Sequence, residues 1–402
     1  MRIFLAVRHS RDPRLFFGDL WSRNFVPALE EQGHEVVESK VDLLPASRFM
    51  DIAADFTPEE LKVRAETTEK ILAELRAAYP VDLFLSYFYS AHFDPDGFEA
   101  LRALAVPSVN FYCNSLYQFD HVRSIAAKAD FSWHAERDAR ALYLAAGARP
   151  VWVQMGADPS LYRPIERAAR MPRVCFIGQR YADRDRWASS LIDAGAPLDL
   201  YGKGWGPKSE GEKPHHQEAV GRRRPAAGSF ASRLRAAREE LVEGGLFRGG
   251  RRILERIAFG RRSRALDEKL SLFARGPAES VAETLSHYEL CLNFSNVWAD
   301  GRPGSPLITH LRLRDFEAPM CRASYLTGYS EEIEEFYAIG KEIDTYRSKE
   351  ELADKIRFYL ANPFAAERLR EAGYRRARSD HTWAQRFRKL FAAIGLSAAA
   401  AL

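Results

Sequence analysis

Val151-Trp-Val-Gln-Met-Gly-Ala-Asp-Pro-Ser-Leu-Tyr-Arg-Pro164 divides the chain into halves that repeat one pattern. Val151–Met155 reads as a short buried strand. Gly156 permits a close backbone approach, and the proline and charge up to Pro172 read as a linker. Upstream, strand-like runs stand near Ile3–Val7, Val36–Lys40, Leu83–Tyr87, Ser108–Tyr112 and Phe131–His134, with helical patterns between them. One of those helices should start at Thr57, the N-cap ahead of Pro58 and Glu60. Downstream the series restarts, with strands at Arg173–Gly178, Leu198–Tyr201, Leu290–Phe294 and Ser324–Thr327 and helices near 183–194, 277–287 and 312–321. Such alternation predicts an α/β protein with parallel sheets, and two series predict two Rossmann-like domains. The expected division is 1–168, 169–380, and a C-terminal helix and tail over 381–402.

Composition narrows the class. With 402 residues, 46% of them hydrophobic, the chain can bury more than one core and is not disordered. No run approaches the ~20 apolar residues of a membrane span. The apolar start at Met1–Val7 is too brief for a signal peptide, which makes a cytoplasmic protein the expectation. The four scattered cysteines suit neither a disulfide framework nor a zinc site. A net charge of +4 conceals an insertion at about 207–270: residues 221–264 hold 13 arginines and four glutamates, so the remainder is acidic. Two amphipathic, arginine-rich helices fit it. It reads as a solvated surface or as a peripheral contact with anionic lipid at the inner face of the membrane. Nucleic-acid binding is disfavoured, because no recognition module accompanies the charge.

The segment from Val151 to Pro164 resembles the strand–G-x-D-x-x-x-(F/Y)-x-P linker of GT-B glycosyltransferases. Arg312-Leu-Arg-Asp-Phe-Glu-Ala-Pro-Met-Cys-Arg-Ala-Ser-Tyr-Leu-Thr327 resembles the second half of the E-x7-E motif of their retaining members, with Thr309 where the first glutamate would stand. Arg314-Asp-Phe-Glu317, Gly340-Lys-Glu-Ile343, Tyr346, Gly373 and His381-Thr-Trp383, together with Phe176–Arg184 and Tyr201–Trp205, are similar to the CgeB-like (spore-maturation-protein-like) glycosyltransferases. The resemblance implies two Rossmann-like domains facing each other across a cleft, the first for the acceptor and the second for a nucleoside-diphosphate-sugar. It implies no metal and no further cofactor, and it suits cell-envelope glycan synthesis with a glycan, lipid-linked, protein or small-molecule acceptor.

The candidate residues follow. Gly178 and Gly202 end strands at the carboxyl edge of the second sheet, where open α/β folds bind ligands. Arg180, Tyr181, Arg184 and Lys203 follow them, Trp205 either stacks on a base or packs in the core, and Asn293 ends a later strand. By resemblance Glu317 takes the ribose hydroxyls, while Arg312 or Arg314 faces the diphosphate. Gly156 and Asp158 face the interdomain space. On the acceptor side, Asp19 either caps its helix or lines the cleft, and Asp120 or His121 is the candidate general base. His92, Asp94, His134 and Glu136 are weaker candidates of the same kind. A sugar-nucleotide epimerase and a non-catalytic nucleotide-sugar binder remain the alternatives.

Overall fold

The computed structural model describes residues 1–10, 18–47, 56–166, 169–206, 264–299 and 305–396. Strands β1 (Arg2–Ala6), β2 (Glu35–Glu38), β3 (Leu83–Ser86), β4 (Ser108–Tyr112), β5 (Phe131–His134) and β6 (Pro150–Trp152) form the first sheet. Their order is β2-β1-β3-β4-β5-β6, every pair parallel. Ile3, Phe4 and Leu5 of β1 and Leu83, Phe84 and Leu85 of β3 are all sealed from solvent. That is the unbroken apolar run expected of strands covered on both faces. The longest crossover, the helix Pro58–Ala78, starts as its sequence predicts. The Thr57 hydroxyl accepts from the Glu60 N–H while the Glu60 carboxylate accepts from the Thr57 N–H.

The second domain begins with β7 (Met171–Ile177), β8 (Leu198–Tyr201) and β9 (Tyr288–Leu292). An antiparallel hairpin of β10 (Asn296–Trp298) and β11 (Leu307–Thr309) follows, then β12 (Tyr325–Gly328) and β13 (Asp344–Tyr346). The parallel sheet runs β13-β12-β9-β7-β8. Strands β10, β11 and β13 escape the sequence reading because three residues are too few to show a period. With β8 on one side of β7 and β9 on the other, the loops leaving β7 and β9 part in opposite directions and open a crevice.

The C-terminal segment is part of the first domain's core. Residues 381–383 cross the linker, where Ala157 and Thr382 bridge in parallel. A Cβ on Gly156 would lie 2.9 Å from the His381 carbonyl oxygen, so this glycine serves the crossing and does not open the cleft. The helix Trp383–Ala393 then packs on the first domain. The Trp383 indole is fully buried, meets Phe25 edge-on at 4.9 Å and donates to Asn24 Oδ1 at 3.0 Å.

The basic insertion lies outside the described residues up to 263, and so do its expected amphipathic helices. Residues 264–271 are helical. The chain beyond them extends the edge of β8, the Leu200 N–H donating to Phe273 O and the Arg275 N–H to Leu200 O. All four cysteines are buried and free. No helix among the described residues is long and apolar enough to cross a membrane.

Candidate active site

The floor of the crevice is built by two loops that touch. Gly202, at φ +119°, approaches Gly178 so closely that a Cβ would stand 2.4 Å from the Gly178 carbonyl oxygen. Both glycines thus serve loop-to-loop packing, a different role from the ligand approach expected of them. Trp205 corrects the stacking reading. It is 1% exposed, its indole N–H donates to Gly178 O at 2.7 Å, and its ring meets Phe176 edge-on. Arg180 is held by Asp185 and Asp267, so its charge is already met. Lys203 is exposed, and its carbonyl accepts the Arg180 N–H.

Arg184 behaves differently. It begins the helix Arg184–Asp193 and is 8% exposed. One guanidinium nitrogen donates to Gln179 O at 2.9 Å, yet its buried Nε has no partner among the described residues. Arg312 stands nearby, on the segment between β11 and the helix Arg314–Met320. Its Nη1 donates to the hydroxyl of Tyr117 in the first domain at 3.4 Å, and its Nε and Nη2 are buried without a partner among the described residues. Burial first, and then the charge of Arg312, pushes the pKa of Arg184 down to about 9. Two like charges with unsatisfied N–H groups are costly unless an anion occupies the gap. Tyr181 stands beside Arg184 and closes its turn, accepting the Arg184 N–H on its carbonyl.

The seam between the domains runs past this pair. One carboxylate oxygen of Glu136 accepts from the N–H groups of Ser115 and Leu116, and the other lies 3.1 Å from His310 Nδ1 of the second domain, without the alignment of a hydrogen bond. Glu136 and His310 are both almost wholly buried. Burial raises the Glu136 pKa to about 8. Burial, with the charges of Arg312 and Arg184, holds His310 well below its usual range. Both shifts favour the neutral forms of the pair. Farther along, Glu332 accepts from Gln154 Nε2 at 3.0 Å, and burial lifts its pKa to about 7.

The sign of the pH effect follows. Both carboxyls bind protons more tightly in the folded chain than at their ordinary value of 4.5. Between that value and about 8 the native state holds more protons, so stability should fall as pH rises through 7 and 8. Glu136→Gln should flatten this loss, improving stability at pH 8 relative to pH 6 by on the order of 1–3 kcal/mol against the parent. Urea melts at the two pH values measure it, and equal slopes in parent and variant would refute the assignment.

Other expected site residues are brought elsewhere. Asn293 is buried and donates within a polar cluster of Ser295, Thr327 and Asp315 beneath the crevice. Arg314 pairs with Glu317 at 2.7 Å, and the Tyr162 hydroxyl lies against the same carboxylate. Glu317, 4% exposed, thus has its carboxylate met by Arg314 and by Tyr162 of the linker. Asp158 does not face the interdomain space. Its carboxylate turns onto Ser160, accepting from the backbone N–H at 2.8 Å and from the hydroxyl. Asp19 occupies the N-cap position of the helix Leu20–Glu30 without a capping hydrogen bond, and pairs with Arg23 and Arg8.

Asp120 projects into solvent beside Arg123, its side chain 61% exposed, and is no buried base. His121 is half-buried against Tyr89, in a nest with His9 and His92 at the carboxyl edge of the first sheet. Burial lowers the His9 pKa to about 4 and holds His92 well below its usual range, so both are neutral. His134 stacks on Tyr143. Asp94 and Asp96 of the Asp94-Pro-Asp96 string are met by Arg64 and Lys128, and a second Asp-x-Asp string, Asp183-Arg184-Asp185, lies at the crevice. His310 and Glu332 were not candidates in the sequence. Nothing local marks them, although His310 stands two residues before Arg312.

Residues 252–392 match the family described as glycosyl transferase-like. No curated protein sequence matches the chain. Among solved structures, the chain is similar to a sucrose-phosphate synthase from Thermosynechococcus elongatus, at 16% identity and a TM-score of 0.54 over 98% of this chain and 100% of that one. It is also similar to AviGT4, a glycosyltransferase involved in avilamycin A biosynthesis, at 15% identity and a TM-score of 0.53 over 98% of both chains. Anabaena HepE, solved in complex with UDP and glucose, matches at 11% identity and a TM-score of 0.53 over 98% of this chain and 99% of that one. Such distant likeness establishes the GT-B fold. With the family match on the second domain, it makes the protein a glycosyltransferase of that class.

Proposed function

We propose that this enzyme moves a sugar from a nucleoside-diphosphate-sugar to a hydroxyl of a glycan or lipid-linked acceptor, with the diphosphate held between Arg184 and Arg312. The observation that carries the reading is the set of buried N–H groups, without a partner among the described residues, on those two guanidiniums at the mouth of the β7–β9 crevice. A guanidinium fork matches phosphate oxygens, and preorganised cations are worth most where water is excluded. As the bond between the anomeric carbon and the phosphate oxygen breaks, its electron pair leaves with the nucleoside diphosphate. The two arginines neutralise that charge in the role a divalent cation fills elsewhere. The acceptor oxygen attacks the anomeric carbon and gives its proton to a base on the first domain, for which we favour His121. The finer likeness to CgeB-like enzymes rests on the motifs quoted above.

Calorimetric titration of the whole protein with nucleoside diphosphates tests the reading. HepE holds UDP, which makes uridine nucleotides the first to try. We expect one of the series to bind and to stabilise the fold by about 2.7 kcal/mol at ~100 times its Kd. If no nucleoside diphosphate binds, the proposal fails. Release of free nucleoside diphosphate only when acceptor is added separates a transferase from an epimerase or an inert binder.

A further inference from the structure

We propose that a pocket next to the cation pair reads the donor's sugar and favours a hexose bearing an apolar substituent, the methyl of a 6-deoxy sugar or of an acetamido group. The proposal rests on the donor reading above. The pocket, about 210 Å³, lies at the carboxyl ends of β9, β12 and β13 and is walled by Trp187, Phe294, Tyr329 and Tyr346, with Asn296 and Thr309 between them. At the ~30 Å³ that each water takes in the liquid, it has room for about seven waters, enough for one ring and too little for a nucleotide.

The pocket adjoins the diphosphate site. The Tyr346 side chain lies near Arg184. Asn296 Nδ2 donates at 3.0 Å to Asp183, the residue before Arg184. A ring seated here would lie beside a phosphate held by the arginines.

Its shape favours a sugar over a base. Trp187 meets Phe294 at 6.4 Å and 35° and Tyr346 at 5.1 Å and 53°. Rings in mutual contact at such angles make a cup, whereas a stacked base needs parallel faces with a gap between them. Its chemistry then selects among sugars. Among the described residues no carboxylate lines the cup, and its one charged group, Arg347, lies over the Tyr329 ring. Asn296 is already engaged, its Oδ1 accepting from the Thr309 hydroxyl and its Nδ2 donating to Asp183. A fully hydroxylated hexose would bury O–H groups with few acceptors in reach, which is penalised, while a methyl group against indole and phenol rings is not.

The test is calorimetric titration of the full chain with matched donors. UDP-glucose is compared with UDP-N-acetylglucosamine and UDP-6-deoxyglucose, GDP-mannose with GDP-6-deoxymannose, and each with its bare nucleoside diphosphate. In the series whose nucleotide binds, a substituted sugar should bind about 10-fold tighter than its parent hexose, the discrimination a buried methyl group commonly supplies. Trp187→Ala and, separately, Tyr329→Ala should cut that preference to below about threefold while leaving the bare diphosphate within about twofold. Equal affinity for parent and substituted sugars overturns the proposal, as does an equal loss of bare-diphosphate binding in both variants. Failure of every bare diphosphate to bind is a different result, which removes the donor reading itself.

Discussion

Arg312→Ala is expected to weaken nucleoside-diphosphate binding roughly 30- to 1,000-fold, the range for removing two charge-assisted hydrogen bonds from a preorganised site. The unliganded protein should nevertheless be as stable as the parent, or more so. Arg312 contributes little to the fold, since among the described residues its side chain has one long hydrogen bond, to Tyr117 whose ring it overlies at 6.0 Å, and two buried nitrogens with none. Its charge also depresses the pKa of Arg184, so removing it relieves repulsion between like charges. Calorimetry with the nucleotide, paired with urea melts of the unliganded protein, reads the two effects separately. A variant that loses stability and affinity together would make Arg312 a structural residue and refute its assignment as a ligand-binding one.

Trp383→Ala should cost about 3–5 kcal/mol of stability, as loss of a large buried aromatic does. The indole is fully buried, faces Trp21 at 6.0 Å and Phe25 at 4.9 Å, and donates to Asn24. Its deletion opens a cavity and leaves the Asn24 oxygen unpaired. Because the helix Trp383–Ala393 is the chain's return to the first domain, the damage should fall on that domain. Calorimetric unfolding should change from one transition toward two, the first domain melting earlier. A single transition at the parental temperature would mean that this helix contributes little to joining the domains.

Much of the second-domain layout was legible because apolar runs ending in glycine mark strands wherever they occur. The β7–β8 pair and the Arg314–Met320 helix fall close to their expected places. Individual site residues were harder. Arg312 and Arg314 could not be told apart by spacing. The helix begins at Arg314, which leaves Arg312 on the preceding segment at the crevice while Arg314 turns under the linker to Glu317. Arg180 and Arg184, four residues apart, looked equivalent as charges at a strand end. Asp185 and Asp267 neutralise the first, while the second forms no ion pair among the described residues. Asp267 comes from beyond the insertion, so no local window contains that difference.

The Val151–Pro164 stretch, taken alone, determined that a strand ends there, that Gly156 needs a close neighbour, and that one α/β domain gives way to another. These are properties of backbone sterics and apolar periodicity, which neighbouring residues impose. What only the tertiary structure decided is which neighbour Gly156 meets, namely the returning chain at His381, and which charges remain unpaired at the crevice. Both depend on segments hundreds of residues apart, and a side chain's burial and partner follow from that long-range packing.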